Sequence, residues 1–197
     1  MENTGIISPT EEQDLEFEKN KKQINENIGA LVVTFENLML ALKQGIKVIA
    51  EKNGIKNEDL IEILIHDAGA QSLLKYFKCF MLSAFPNEMN DTEFAEKMET
   101  IYKEMQEAIE YRNSIVHASW NIGYAIDVNT FGLTSYLSAI RKRIQKNVLT
   151  NVYKDSDFKK IEEIKEHSIK NAQLFDFFMV ILLDIRFSRP LVRVKTP

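Results

Sequence analysis

The chain has 197 residues, 45% of them hydrophobic, enough to bury one sizeable core without disulfide or metal staples. Seven glycines and four prolines are too few for the frequent tight turns of sandwiches and barrels, and a single cysteine, Cys79, excludes an intramolecular disulfide and a cysteine-cluster zinc site. The net charge of −4 hides an asymmetry: residues 135–197 carry +6 and the rest −10, the pattern of a basic face able to meet phosphate beside an acidic remainder.

One domain spanning 1–197 is expected. The opening MENTGIISPT has neither a basic n-region nor an apolar run, so no secretory leader is expected. The longest apolar run, Leu174 to Phe187, is broken by Asp176, Asp184 and Arg186 and falls short of the ~20 residues of a membrane span, so a cytoplasmic chain with no membrane partner is expected.

In chain order, Ser8, Pro9 and Glu11 read as the N-cap, first-turn proline and N3 acid of a helix that starts near residue 9. Ile24, Ile28, Leu31, Phe35, Leu38, Leu42, Ile46 and Ile49 continue it at steps of three and four, and Gly54 is its stop. A second helical region covers Asn57 to Phe85, with a break near Asp67 to Gly69. A third starts after the cap Asp91, buries Phe94, Met98, Ile101, Met105, Ala108, Ile109, Ile115 and Val116, and should end near Trp120. From Asn121 to Asp155 the helical period is lost, and a short β-hairpin or irregular excursion is predicted. A last helix capped by Ser156 should bury Phe158, Ile161, Ile164, Ser168, Ala172, Phe175, Met179 and Leu182, before a short extended tail after Ser188. The resulting fold class is all-α, an antiparallel bundle of four to five helices with a small β excursion.

No phosphate-loop glycine pattern is present, and no two of the three histidines fall at helical ligand spacing, so neither a metal nor another cofactor is expected. His66, beside the apolar run Leu60 to Ile65, reads as a half-buried core histidine, and His167, within EEIKEHSIK, as a surface residue. The segment YRNSIVHASW, residues 111–120, stands apart. Helical projection sets Arg112 about 20° from the mean direction of Met98, Met105 and Ile109, in the middle of the apolar face. A permanently charged guanidinium there needs a carboxylate or phosphate partner.

Arg112, Asn113 and His117 resemble the signature of the HEPN family (higher eukaryotes and prokaryotes nucleotide-binding domains). That signature is an arginine, a polar residue, often asparagine, immediately after it, and a histidine separated from the arginine by four to six residues; here four residues separate Arg112 from His117. The resemblance implies a helical bundle acting as a metal-independent endoribonuclease, in the setting of a toxin or phage-defence effector. It assigns catalytic roles to Arg112, Asn113 and His117. Those residue types suit transesterification: an imidazole moves protons near neutrality and a guanidinium fork holds a phosphate as charge builds on it.

Five residues of helix would separate Arg112 from His117 by about 7.5 Å of rise and 140° of rotation, so unless the helix ends between them one copy makes a poor site, and a homodimer with a composite cleft is expected. Arg141, Lys142 and Arg143 are the nearest candidates to grip the RNA backbone. Lys146, Arg186, Arg189, Arg193 and Lys195 add to them, and Tyr124, Phe131 and Tyr136 are candidates for stacking on bases. A second reading stays open, in which Arg112 and His117 are structural and the chain is a silent binding or adaptor module. The partner implied for either reading is an antitoxin or a nucleotidyltransferase.

Overall fold

The computed structural model describes residues 8–55, 57–86, 90–126, 133–145, 148–156 and 159–186. Within them the order is α1 (Glu11–Lys52), α2 (Glu58–His66), α3 (Ala70–Ala84), α4 (Thr92–Val116), β1 (Ser119–Ile126), β2 (Leu133–Gln145), β3 (Val148–Ser156) and α5 (Lys159–Arg186). The fold is the expected helical bundle with a β excursion. The excursion is a three-stranded antiparallel sheet of order β1-β2-β3, one strand more than a hairpin. The chain divides into two compact units, a helical one (Val32–Arg112, His167–Pro197) and a mixed one (Met1–Leu31, Asn113–Glu166).

The ends of the helices follow local chemistry. α1 opens two residues later than the Ser8 reading: Thr10 Oγ1 accepts from the Gln13 amide and Gln13 Oε1 accepts from the Thr10 amide, a reciprocal capping box written in TEEQ. Its other end is the predicted one. Gly54 adopts φ +81, its N–H reaches the Glu51 carbonyl, and the Ile55 N–H reaches Ala50, closing a Schellman motif. Asn57 caps α2 through the Leu60 amide, and Asp91 caps α4 through the Phe94 amide. The break between α2 and α3 falls at 67–69, as the sequence indicates.

In the helical unit the core joins Phe35, Leu38, Leu42, Ile46 and Ile49 of α1 to Ile61 and Ile65 of α2, and to Leu73, Phe77 and Met81 of α3. Met98, Ile101, Met105 and Ile109 of α4 and Leu174, Phe178 and Leu182 of α5 complete it. Neighbour pairs give the directions. Lys43 meets the His66 carbonyl and Lys47 pairs with Glu62, so α1 and α2 run oppositely. Thr34 meets Ser168, and Gly45 lies against Phe178 and Leu182, so α1 and α5 run the same way. At the level of Thr34 and Glu36 the α4 residues are Tyr111 and Arg112, while at the level of Gly45 and Phe77 it is Tyr102, so α4 opposes both.

In the mixed unit, among the described residues, Ile24, Leu31, Ile115, Leu137, Ala139, Ile161 and Ile164 are buried and apolar, and Asn27 Nδ2 donates to the Ile161 carbonyl at 2.8 Å.

Two boundaries differ from expectation. α4 stops at Val116 rather than near Trp120, because Ser119 and Trp120 pair with Ile140 and Ala139 of β2. The Trp120 indole then donates at 2.9 Å to the Ile115 carbonyl, one of the acceptors the helix end leaves open. Ser156 is not a helix cap but the last residue of β3, opposite Leu137, and α5 begins at Lys159.

The buried face of α5 also departs from its predicted phase after Ser168. Asn171, Leu174 and Phe178 are buried, Ala172 is exposed, and Phe175 and Met179 are half-buried. The run from Leu174 is apolar around most of the helix, so its own period does not choose a face. Phe158 and the tail after Ser188 lie outside the described residues.

Candidate functional site

α4 brings the signature segment to its C-terminal end. Arg112 occupies the last two turns, its side chain 21% exposed. Its guanidinium lies 5.3 Å from the ring of Phe35 and 3.6 Å from Glu36 Oε1, so α1 supplies both an aromatic face and the counter-charge that burial requires. The carboxylate is not a core group: the Glu36 side chain is 60% exposed. An ion pair at such a rim contributes about 0–1 kcal/mol and exchanges with competing anions.

Asn113 follows, half-buried, and His117 stands one residue past the helix, exposed, its amide hydrogen-bonded to the Asn113 carbonyl at 3.4 Å. The division between the two compact units passes between Arg112 and Asn113.

The other two histidines exchange their predicted roles. His66 is exposed, its side chain 3.9 Å from Glu62 and 3.8 Å from Asp67, at the C-terminal end of a nine-residue helix. His167 is half-buried and stacks on Tyr111, with ring centroids 3.4 Å apart and planes 14° from parallel. Tyr111 immediately precedes Arg112, and Ser168, which follows His167, meets Thr34 of α1 at 3.4 Å. One level of the helical unit therefore carries Thr34, Phe35 and Glu36 from α1, Tyr111 and Arg112 from α4, and His167 and Ser168 from α5. One turn beyond His167, Asn171 is buried with an amide nitrogen that lacks a hydrogen-bond partner among the described residues. The sequence carries no signal for Glu36 or His167, because each meets the α4 segment only across the folded bundle.

Among the RNA-gripping candidates, Arg141, Lys142 and Arg143 are consecutive positions of β2, opposite Val152, Asn151 and Thr150. Arg186 is the last residue of α5. Lys146, Arg189, Arg193, Lys195 and Phe131 lie outside the described residues.

Tyr124 is already engaged within the fold. Its ring stacks on Phe17 at 5.1 Å, and its hydroxyl donates to the Gln13 carbonyl at 2.9 Å and lies 2.9 Å from Asp14 Oδ1. Desolvation, reinforced by the Asp14 carboxylate, pushes that hydroxyl up to about 12. Tyr136 is exposed and lies across Gly123, where an added Cβ would come within 3.0 Å of its ring.

A groove of about 400 Å³ on the helical unit mixes Lys75, Lys78 and Lys103 with Glu99 and Glu107, and none of the signature residues lines it. Among the described residues, no three His, Cys, Asp or Glu side chains converge as a metal-ligand set, and no helix is long and apolar enough to cross a membrane. No family model, no curated protein and no solved structure matches the chain.

Proposed function

We propose that the chain is a metal-independent endoribonuclease of the HEPN type, with Arg112, Asn113 and His117 as its catalytic residues. The observation that supports this most is the solvent access of Arg112 and His117. Arg112 is only partly buried and faces a rim carboxylate rather than a core one, and His117 is exposed at the helix end.

In the reaction, His117 takes the proton of a 2′-hydroxyl as its oxygen attacks the adjacent phosphorus. Arg112 leaves Glu36 for the non-bridging phosphate oxygens, whose charge grows towards the pentacoordinate state. Asn113 orients the phosphate or the imidazole. The products are a 2′,3′-cyclic phosphate and a 5′-hydroxyl. Two copies related by a twofold axis supply two sets of these residues to one RNA strand, and the basic positions Arg141, Lys142 and Arg143 hold the backbone. The biological setting consistent with such an activity is a toxin or phage-defence effector held in check by an antitoxin.

One observation favours a second reading, a silent binding module that partners a nucleotidyltransferase: the contacts of Arg112 with Glu36 and Phe35 already give the guanidinium a structural occupation. Cleavage of end-labelled single-stranded RNA by wild type, His117→Ala and Arg112→Lys separates the two. The ribonuclease loses about 10²-fold or more in rate in each variant while the melting temperature holds. No cleavage by wild-type protein, or equal cleavage by all three, assigns the chain to the binding module.

A further inference from the structure

A hydroxyl shut away from water calls for an acceptor, and a fold that supplies none leaves that donor to a ligand. Tyr102 of α4 is 5% exposed, and its hydroxyl has no hydrogen-bond partner among the described residues. Burial, with the Glu99 carboxylate and Cys79 nearby, pushes that hydroxyl up from its ordinary value, so it stays an O–H donor. Tyr102 lines the groove of about 400 Å³ formed by α3 and α4 of the helical unit, a volume suited to a small molecule.

Two further donors in the same groove lack acceptors. Among the described residues Lys75 has no ion pair and the Gln71 amide no hydrogen bond, whereas Lys78 lies 3.0 Å from Glu99 and Lys103 4.0 Å from Glu107. Three lysines against two glutamates leave the lining one positive charge in excess, carried by Lys75. Leu74, buried, adds apolar surface between Gln71 and Lys78 of α3. We propose that this groove, separate from the signature residues, binds a small organic monocarboxylate. Its carboxylate accepts from Tyr102, Lys75 and Gln71, and its apolar body lies on Leu74.

Charge and length set the class. A phosphate monoester brings about two negative charges at neutral pH, twice what Lys75 offsets. Glu99 and Glu107 stand eight residues apart on α4, about 12 Å of helix rise, so an RNA strand laid along the groove would set phosphates beside both carboxylates. A single carboxylate placed between them avoids both. Entry to the hydroxyl is governed by Lys78, whose ammonium covers the Tyr102 ring at 4.8 Å and is held by a glutamate that is itself 71% exposed. Such a rim pair exchanges readily, and its swing opens Tyr102 to the ligand.

The test titrates the isotope-labelled full chain with phenylacetate and hexanoate and follows the backbone amide shifts, with phenylacetamide, phenyl phosphate and hexauridylate as comparisons. The acids should give saturable shifts confined to residues 71–78 and 99–107, with the millimolar Kd proper to probes of this size. Phenylacetamide should bind about tenfold more weakly, and Tyr102→Phe, which keeps the ring, and Lys75→Gln should each weaken phenylacetate by about tenfold. Both variants should fold, since one removes an unpaired hydroxyl and the other an exposed charge. No saturable shifts with either acid, shifts centred elsewhere, equal binding of phenylacetamide, or unchanged affinity in either variant overturns the proposal. Tighter binding of phenyl phosphate or hexauridylate at the same residues also overturns it, in favour of a phosphate-binding surface.

Discussion

Arg112 is where the physics of a single residue is sharpest. A charge that cannot be neutralised sits partly out of water, and the group that compensates it, Glu36, remains in water. Removing Glu36 therefore affects stability little, and under the ribonuclease account it frees the guanidinium. Glu36→Gln is expected to change unfolding free energy by less than about 1 kcal/mol and to leave RNA cleavage equal to or above wild type, as read by urea denaturation and cleavage rate. Arg112→Ala strands no core carboxylate, so its effect should appear mainly in activity.

Tyr124 gives a pH-dependent expectation. Its hydroxyl is raised from the ordinary value of 10 to about 12 in the fold, so the neutral phenol is the form the native state favours. Its stabilising contribution is complete below pH 10 and is lost as pH rises towards about 12. Tyr124→Phe is expected to flatten the alkaline fall of the melting temperature across that window, measured against wild type.

At this scale the sequence reveals Arg112, because a guanidinium in the middle of an apolar stripe is visible by projection alone. The misread histidines show the opposite case. His66 follows an apolar run yet sits at a helix end with solvent around it, and His167 lies in a charged stretch yet meets a tyrosine presented by another helix. Burial of a lone polar residue depends on what folds against it.

At the scale of elements, the two glycines inside α1 separate local propensity from packing. At Gly45 an added Cβ would lie 3.1 Å from Leu182, Phe178 and Phe77 together, so the glycine lets three helices approach. Gly29 has nothing within 4 Å and is exposed. Gly45→Val is expected to destabilise the fold by about 1–3 kcal/mol through overpacking, and Gly29→Ala to stabilise it by about 0.5–1 kcal/mol through helix propensity, both readable from thermal or urea unfolding.

Helix existence was legible from apolar spacing, and three of the ends from their caps: Gly54, Asn57 and Asp91 act by local bonds that the sequence spells out. The capping box was written there too, at Thr10 and Gln13, but the Ser-Pro pair before it gave a competing signal. The end of α4 was not legible, since Ile115, Val116 and Trp120 continue a helical stripe. What ends the helix is the pairing of Ser119 and Trp120 with β2, a contact across about 20 residues.

For the whole molecule, the charge asymmetry and the signature point the same way. The basic third includes most of β2, with Arg141, Lys142 and Arg143, and lies C-terminal to the segment that carries His117. Neutralising phosphates with such residues makes binding salt-dependent, so RNA affinity of the proposed ribonuclease should fall steeply as salt rises, and Arg141→Ala should reduce that slope by about one. Filter binding across a salt series checks it. If the proposed site is assembled from two copies, light scattering should return twice the mass of one chain.

The central claim is the chemistry, and the ends of the products report it directly. Purified wild-type protein incubated with labelled single-stranded RNA in EDTA should yield 2′,3′-cyclic phosphate and 5′-hydroxyl ends, with none from His117→Ala. Intact RNA, or cleavage that EDTA abolishes or that leaves 5′-phosphate ends, would contradict the account.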